Sequence, residues 1–237
     1  MVVKKKNGTR GRNQKEKRMK TMLKTVLATG SLVLVGTLQS QATLLVEYTF
    51  PNSSGDEVSF QPDAQPTGGT ASTMTRGSGL TATIAAGAFS SSGWTTANTR
   101  DVNDYYTFTV TPSANYQMTL TRLELDERRS GTGIREWAIY SSLDGYNVAL
   151  TPTFAVPDDT LTRTDQGVNL GAPFSLLSAP ISFRIYGYTS EGSGGTWRID
   201  NVQLSGSLTA VPEASTWVAG LGLSLGMLGT FVRKHRK

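Results

Sequence analysis

Cysteine is absent from the sequence, and the one histidine, His235, lies among the last five residues. From Thr43 to Val232 there is no lysine either. That stretch therefore cannot form a disulfide, a thiolate metal site, a Ser–His–Asp triad, a histidine-ligated zinc site or a lysine Schiff base. The side chains left for chemistry are carboxylates, hydroxyls, arginines and aromatic rings.

Positive charge is concentrated at the two ends. The 237-residue chain has a formal net charge of +5, but residues 1–42 hold ten of its 23 Lys and Arg, and residues 233–237 hold four more. The stretch between them has nine arginines and seventeen acidic residues. A protein that binds duplex nucleic acid carries clustered Lys and Arg on its folded surface. Because this acidic stretch has no such cluster, we expect no nucleic-acid partner.

Residues 1–42 have the pattern of a signal peptide. A long basic segment is followed by an apolar run, Val26–Leu38, that is shorter than the roughly 20 residues a membrane-spanning helix needs. The sequence Ser-Gln-Ala then ends at Ala42, which predicts cleavage between Ala42 and Thr43. The alternative is a basic arm before a buried helix. Two internal methionines are alternative start sites to Met1: Met19 and Met22.

The other end combines a proline turn, an apolar segment and a basic stop. Residues 217–232 carry no charge, and as a helix they would rise about 24 Å, close to the roughly 30 Å core of a bilayer. Snorkelling cations and an interfacial tryptophan can cover the difference. We therefore predict a transmembrane helix and basic tail over residues 217–237. The basic end should stay cytoplasmic, which places the acidic stretch outside the membrane.

This tail resembles the PEP-CTERM sorting signal. The residues that carry the resemblance are Val211, Pro212, Glu213, Ser215, Thr216, Trp217, Arg233 and Lys234. Ala214 departs from the family, which usually has proline there. In that family an exosortase in the membrane recognises and removes the tail, and the proteins are typical of Gram-negative bacteria that make exopolysaccharide. The resemblance implies an exosortase partner and export to the cell surface or extracellular matrix; an ordinary single-span anchor is the alternative.

The acidic stretch has the pattern of an all-β protein. Short runs of β-branched and aromatic residues alternate with turn signals, and no window shows a sustained helical period. We predict one antiparallel, jelly-roll-like β-sandwich over residues 43–205 and a linker over 206–216. The Asp-Gly pair in Leu143–Tyr146 predicts a hairpin turn, and 51–79 and 189–195 are predicted loops. The predicted strands are Leu44–Phe50, Leu80–Ala85, Tyr105–Thr111, Tyr116–Asp126, Ile134–Ser142, Ile181–Tyr188 and Thr196–Ser205.

Alternation of apolar and polar residues identifies the inner faces of these strands. In the strand from Tyr116 the apolar phase switches after Leu120, which predicts a bulge near Thr121–Arg122. The last strand switches in the same way, which predicts a bulge at Asp200–Asn201. The residues that this alternation places in the core include Tyr106, Phe108, Val110, Trp137, Ile181, Phe183, Ile185 and Trp197.

Two segments, Trp137–Gly145 and Trp197–Val202, resemble jelly-roll domains of carbohydrate-binding modules and of PEP-CTERM proteins. Some of those jelly rolls hold a structural Ca²⁺ between their first and last strands. Glu47 in the first strand and Asp200 in the last are the candidate ligands, because calcium prefers hard oxygen donors. The alternative is that Asp200 caps a bulge while Glu47 faces solvent or pairs with an arginine.

Two further candidate sites use the remaining chemistry. Glu124 and Asp126 share a face of one strand, as the two acids of a glycosidase must share a cleft; the alternative is an inert charged strand end. Three aromatic residues are candidates for stacking on a sugar ring: Trp94, Tyr186 and Tyr188.

These observations together predict an exported, surface-tethered or secreted β-sandwich protein without catalytic residues. Its expected partner is an extracellular polysaccharide, and a structural role in the matrix is a second reading. The rival class is a carboxylate-based glycoside hydrolase or lyase. Apart from the candidate calcium, no cofactor is expected.

Overall fold

The computed structural model describes residues 43–212. Three predicted features lie outside these residues: the signal peptide, Ala42 at its cleavage site, and the transmembrane helix. Among residues 43–212 no helix has the length and apolar character needed to cross a bilayer. The thirteen strands of the described region, numbered in chain order, are β1 (Thr43–Tyr48), β2 (Ser59–Phe60), β3 (Gly69–Ala71), β4 (Met74–Arg76), β5 (Thr81–Ala82), β6 (Phe89–Ser92), β7 (Tyr105–Pro112), β8 (Tyr116–Arg129), β9 (Glu136–Ser141), β10 (Phe154–Ala155), β11 (Arg163–Asn169), β12 (Ile181–Tyr188) and β13 (Trp197–Ala210).

The strands form two sheets, and every pairing between them is antiparallel. Sheet I has the order β11-β8-β13-β6-β5, and β1 also pairs with β13. Sheet II has the order β10-β9-β12-β7-β4-β2, and β3 also pairs with β7. Apolar side chains from the inner faces of both sheets form one core. The prediction of an all-β antiparallel sandwich is therefore confirmed.

The alternation in β7 and β12 places their inner residues as predicted. Tyr106, Phe108 and Val110 are buried, while the intervening threonines are half-exposed. Trp197 of β13 lies at the centre of an aromatic cluster, with ring centroids 5.2 Å from Trp94, 5.7 Å from Tyr106 and 5.8 Å from Trp137. The Tyr106 hydroxyl donates to the Trp197 carbonyl at 2.8 Å and so joins the two sheets.

Both predicted bulges are present. Between its pairings with β13, β8 contains one extra residue at Thr121, and β13 contains one extra residue between Asp200 and Gln203. Asn201 has a φ of 45° at this second bulge. Each bulge moves the apolar residues that follow it back to the inner face, as a strand with a period of two requires.

Several strands differ from the prediction because edge strands carry little apolar signal. The predicted loop 51–79 contains β2, β3 and β4, and β11 was missed because its sequence is almost entirely polar. The predicted strand Leu80–Ala85 shrinks to the two-residue β5 at the edge of sheet I. At the other end β13 continues to Ala210, so the first five residues assigned to the linker 206–216 are strand.

The turn after β9 also differs in detail. A 3₁₀ turn over Ser142–Asp144 precedes Gly145, and the two residues with positive φ are Gly145 at 69° and Tyr146 at 63°. Of the Asp-Gly pair on which the hairpin prediction rests, only Gly145 has a positive φ. Asp144 instead accepts hydrogen bonds from the backbone N–H groups of Asn147 and Val148, which stabilises the turn that follows it.

The last inward positions of β8 carry charge instead of apolar side chains. Glu127 and Arg129 are both buried. Glu127 accepts a hydrogen bond from Trp197 Nε1 at 2.8 Å and pairs with Arg163. Arg129 pairs with Glu191 and, at 3.0 Å, with Asp158. A buried charge is tolerated only when opposite charges compensate it, and these ion pairs neutralise both residues at this end of the core, while the Nε of Arg129 is left without a hydrogen bond in the described region.

Candidate functional site

The outer face of sheet II carries a group of tyrosines and arginines. Outward positions of three adjacent strands, β7, β12 and β9, supply four of its members, and two loops supply the other two. We call this group the tyrosine–arginine face. Its residues are Arg100, Tyr105, Tyr140, Tyr146, Arg184 and Tyr186.

Tyr186 is the centre of the tyrosine–arginine face. It lies opposite Tyr105 in the register of β12 with β7. Its ring centroid is 5.3 Å from that of Tyr105 and 5.2 Å from that of Tyr140, and both contacts are edge-on. Such T-shaped pairs are a preferred aromatic geometry. Tyr186 is covered by these neighbours and is only 1% exposed.

Each arginine of the face lies over two tyrosine rings. The Arg100 guanidinium is 4.1 Å from the Tyr140 ring centroid and 4.8 Å from that of Tyr186. The Arg184 guanidinium is 4.2 Å from the Tyr105 centroid and 4.0 Å from that of Tyr146. These distances are typical of cation–π contacts. Among the described residues, neither arginine forms a salt bridge with a carboxylate.

Tyr146 reaches the face through a strained backbone. Its positive φ is unusual for a bulky residue. Arg100 Nη2 donates a hydrogen bond to the Tyr146 carbonyl at 2.6 Å. The loop before β7 therefore holds the turn after β9 in place. Strain of this kind is found where the surroundings fix a functional side chain.

The polar groups of the face are only partly used by the protein. Tyr105, Tyr140 and Tyr146 are half-buried, and within the described region their hydroxyls have no protein hydrogen-bond partner. Arg184 Nη1 donates to the Tyr186 hydroxyl at 3.2 Å. Burial lowers the pKa of Arg184, but this hydrogen bond and the neighbouring phenols outweigh it, so the net pKa is raised and the residue stays cationic. The face thus offers ring surfaces, hydroxyls and guanidinium donors to a ligand.

The predicted stacking residues lie in different environments. Tyr186 and Tyr188 point outward, as their phase indicates, but both are buried by neighbours. The Tyr188 hydroxyl lies 2.7 Å from the Thr153 hydroxyl, and burial raises the pKa of Tyr188. Trp94 is a core residue, 1% exposed, that occupies the space a side chain at Gly187 would fill. Its ring faces are therefore not available for stacking on a sugar.

The candidate calcium ligands lie on sheet I. The first and last strands are neighbours, as the prediction requires, and Glu47 is opposite Gln203. Gln203 Nε2 donates to Glu47 Oε1 at 2.9 Å. Asp200 is opposite Asp126 across β13 and β8; burial raises the pKa of Asp200, and the charges of Asp126 and Asp63 raise it further. In residues 43–212, no three acidic or histidine side chains converge as a metal site.

The carboxylates proposed as a glycosidase pair have other partners. Glu124 pairs with Arg122 at 2.6 Å. Asp126 accepts hydrogen bonds from the Asp165 backbone N–H at 2.9 Å and from Asn201 Nδ2 at 2.7 Å. Glu124 thus pairs within its own strand, and Asp126 joins β8 to β11 and β13.

Sequence reasoning missed most of the tyrosine–arginine face. Strand phase predicts that Tyr105 and Tyr140 point outward, because they have the opposite phase to the buried residues Tyr106 and Ile139. It makes no prediction for Arg100 and Tyr146, because they lie in loops where no periodicity indicates a direction. Only the pairing of strands distant in sequence brings these residues together.

No family model and no curated protein matches the chain. Among solved structures it is similar to a family 29 carbohydrate-binding module, with 19% identity and a TM-score of 0.36 over 70% of this chain and 89% of that one. It is also similar to two variants of such a module. One is complexed with mannohexaose (18% identity, TM-score 0.36) and one with cellulohexaose (19%, 0.37); each match covers 70% of this chain and 92% of the other.

Proposed function

We propose that residues 43–212 form a non-catalytic, jelly-roll-like module that binds polysaccharide on its tyrosine–arginine face. One observation carries the proposal. Three half-buried tyrosines, whose hydroxyls have no hydrogen-bond partner among residues 43–212, surround two arginines that no described carboxylate neutralises. Sugars expose apolar ring faces and many hydroxyls, and they are met by aromatic rings and by fixed donors and acceptors.

The rigidity of the face also supports the proposal. Its central residues lie on paired strands of sheet II, and the cation–π contacts fix the rings before any ligand arrives. Binding to an ordered surface avoids much of the entropy cost of ordering side chains. An extended face on a sheet also suits a long polymer better than an enclosed pocket.

The proposal is tested with the full chain on an array of soluble and immobilised polysaccharides, followed by calorimetry on those that bind. Tyr140→Ala should weaken binding by about tenfold or more, as truncation of an aromatic hot spot does. Tyr116→Ala is the matched control, because this half-buried tyrosine lies on sheet I. An array without binding, or equal loss in both variants, would contradict the proposal.

The alternative of a carboxylate-based hydrolase or lyase is tested on the same samples. A non-catalytic module leaves the polymer intact after long incubation, so no new reducing ends or unsaturated products appear. Turnover that is abolished by Glu124→Gln or Asp126→Asn would replace the binding proposal by the enzymatic one.

We propose export and sorting on the sequence of the two ends alone. Signal cleavage after Ala42 and exosortase removal of the tail that follows Val211 and Pro212 would leave the module at the cell surface or in the matrix. Mass spectrometry of the mature protein in its native host decides this. A cytosolic product with both ends intact would contradict it.

Structural calcium remains a separate prediction at Glu47 and Asp200. If a site forms, Ca²⁺ raises the melting temperature of the wild type above its value in EDTA, and Asp200→Asn removes that increase. Equal melting temperatures in the two conditions would dispose of the site.

A further inference from the structure

Two arginines face each other on the outer surface of sheet I, on the opposite side of the sandwich from the tyrosine–arginine face. Arg128 of β8 and Arg198 of β13 are direct partners in the strand register. Side chains at such positions lie about 5 Å apart at their Cβ atoms, and like charges placed there repel. An arrangement of this kind is unfavourable unless something else holds the two cations.

The protein itself supplies no partner for this pair. Within residues 43–212 neither guanidinium forms a salt bridge, and the Nε of Arg128 is buried without a hydrogen bond. Burial lowers the pKa of Arg198, and the charge of Arg128 lowers it further. The other outward arginine of β8, Arg122, pairs with Glu124 at 2.6 Å.

The pair borders a surface cleft of about 210 Å³. Ala86, Gly87, Ala88 and Thr162 also line the cleft, and the second cross-strand pair, Asp126 and Asp200, lies two residues along the strands from the arginines. The volume is sufficient for a small anion with its water or for one sugar residue. The two carboxylates repel an anion from their end, so the electrostatic attraction is restricted to the arginine end.

We propose that Arg128 and Arg198 form an oxyanion-binding cleft, with the two guanidinium groups gripping a carboxylate, sulfate or phosphate group of a ligand. Planar guanidinium groups match the paired oxygens of such anions and bind them with charge-assisted hydrogen bonds. The buried Nε of Arg128 is out of reach of a ligand, so bound oxygens would accept from the terminal guanidinium nitrogens of the two arginines and screen the repulsion between the two cations. The site is independent of the tyrosine–arginine face, because it lies on the other sheet.

The test measures melting temperature and arginine Nε–Hε NMR signals of the full chain. Sodium sulfate, sodium phosphate and sodium glucuronate are titrated separately at constant ionic strength against sodium chloride, which separates the three sources of the oxyanion. We expect a saturable rise in melting temperature and a shift of the Arg128 and Arg198 signals with at least one of them. The double variant Arg128→Gln/Arg198→Gln should lose about tenfold or more in affinity, as loss of a charge-assisted pair does.

Two controls separate ligand binding from a structural role. Arg122→Gln removes an outward arginine that already has a partner, and it should leave the anion response unchanged. Without anion, the double variant should melt at the same temperature as the wild type or higher, because a repulsion has been removed. A double variant that melts lower but keeps the anion response would overturn the proposal. A wild type that responds to chloride and to the oxyanions alike would overturn it as well.

Discussion

Arg128 and Arg129 are adjacent in the chain, yet one lies on the outer face of sheet I and the other inside the sandwich. Arg129 is 1% exposed and is held by two carboxylates and by the carbonyl of Gly131 at 2.9 Å. Arg128 faces a second arginine and forms no salt bridge within residues 43–212. The Nε atoms of both arginines lack a hydrogen bond, so the two differ in their carboxylate partners: the buried cation is neutralised, and the half-exposed cation is not.

This contrast separates two uses of charge in one strand. A buried charge must be neutralised by the protein, because removal from water costs several kcal/mol per ion. A charge near solvent has no such requirement, so the protein can leave it for a ligand. Satisfied arginines should therefore affect stability when they are changed, and unsatisfied ones should affect binding.

The largest effect is expected at Arg129. Arg129→Met keeps much of the volume but removes the hydrogen bonds to Asp158, Glu191 and the Gly131 carbonyl, and it should lower the free energy of unfolding by about 3 kcal/mol, because bonds to charged partners contribute most. Glu191 keeps its pair with Arg135, so no buried charge is left without a partner. Urea denaturation followed by circular dichroism measures it. The neighbouring Arg128→Met should change stability by less than about 0.5 kcal/mol. Equal losses of stability in Arg129→Met and Arg128→Met would contradict the distinction between the neutralised and the free arginine.

An intermediate effect is expected at Arg76, which is satisfied mainly by carbonyls and not by carboxylates. Its guanidinium donates to the carbonyls of Glu57, Gly55 and Ser90 and lies 3.5 Å from the ring centroid of Phe89. Arg76→Lys keeps the charge but loses the planar fork, so two or more of these bonds fail. Thermal and urea unfolding should show a loss of about 1–3 kcal/mol. If Arg76→Lys left the stability unchanged, charge alone, and not the geometry of the guanidinium, would hold the 53–57 loop.

The smallest effect, and one of opposite sign, is expected at Asp200. Burial and then the charges of Asp126 and Asp63 raise its pKa, so its ionised form is less favourable in the folded than in the unfolded protein. The protonated carboxyl therefore favours the folded state. This contribution to stability is complete below the unfolded pKa of about 3.9 and is lost as pH rises through the raised folded pKa. Asp200→Asn should thus raise stability at pH 7 in EDTA by about 0.5 kcal/mol after solvent screening.

The pH profile gives the control for this last prediction. The gain from Asp200→Asn should shrink as the pH is lowered through about 4 and toward about 3, since below the unfolded pKa the wild-type carboxyl is protonated in both the folded and the unfolded state. A loss of stability at pH 7 would show that the carboxylate makes a favourable contact that outweighs its charged neighbours.

The sequence predicts the centre of the fold well and its edges poorly. The phase switch between Leu120 and Leu123 locates a bulge, because buried residues must return to one face. The edge strand β11 carries too few apolar residues to be recognised. The candidate site divides in the same way: Tyr186 follows from phase, whereas Arg100 and Tyr146 depend on loop backbones that no period describes.

The pairing of β1 with β13 decides how the module can be held. Thr43 lies opposite Gly206, and β13 ends four residues later at Ala210. The first residue of β1 and the last residues of β13 therefore lie at one pole of the sandwich. An attachment through either end of the module would lie at that pole, away from the outer faces of sheets I and II.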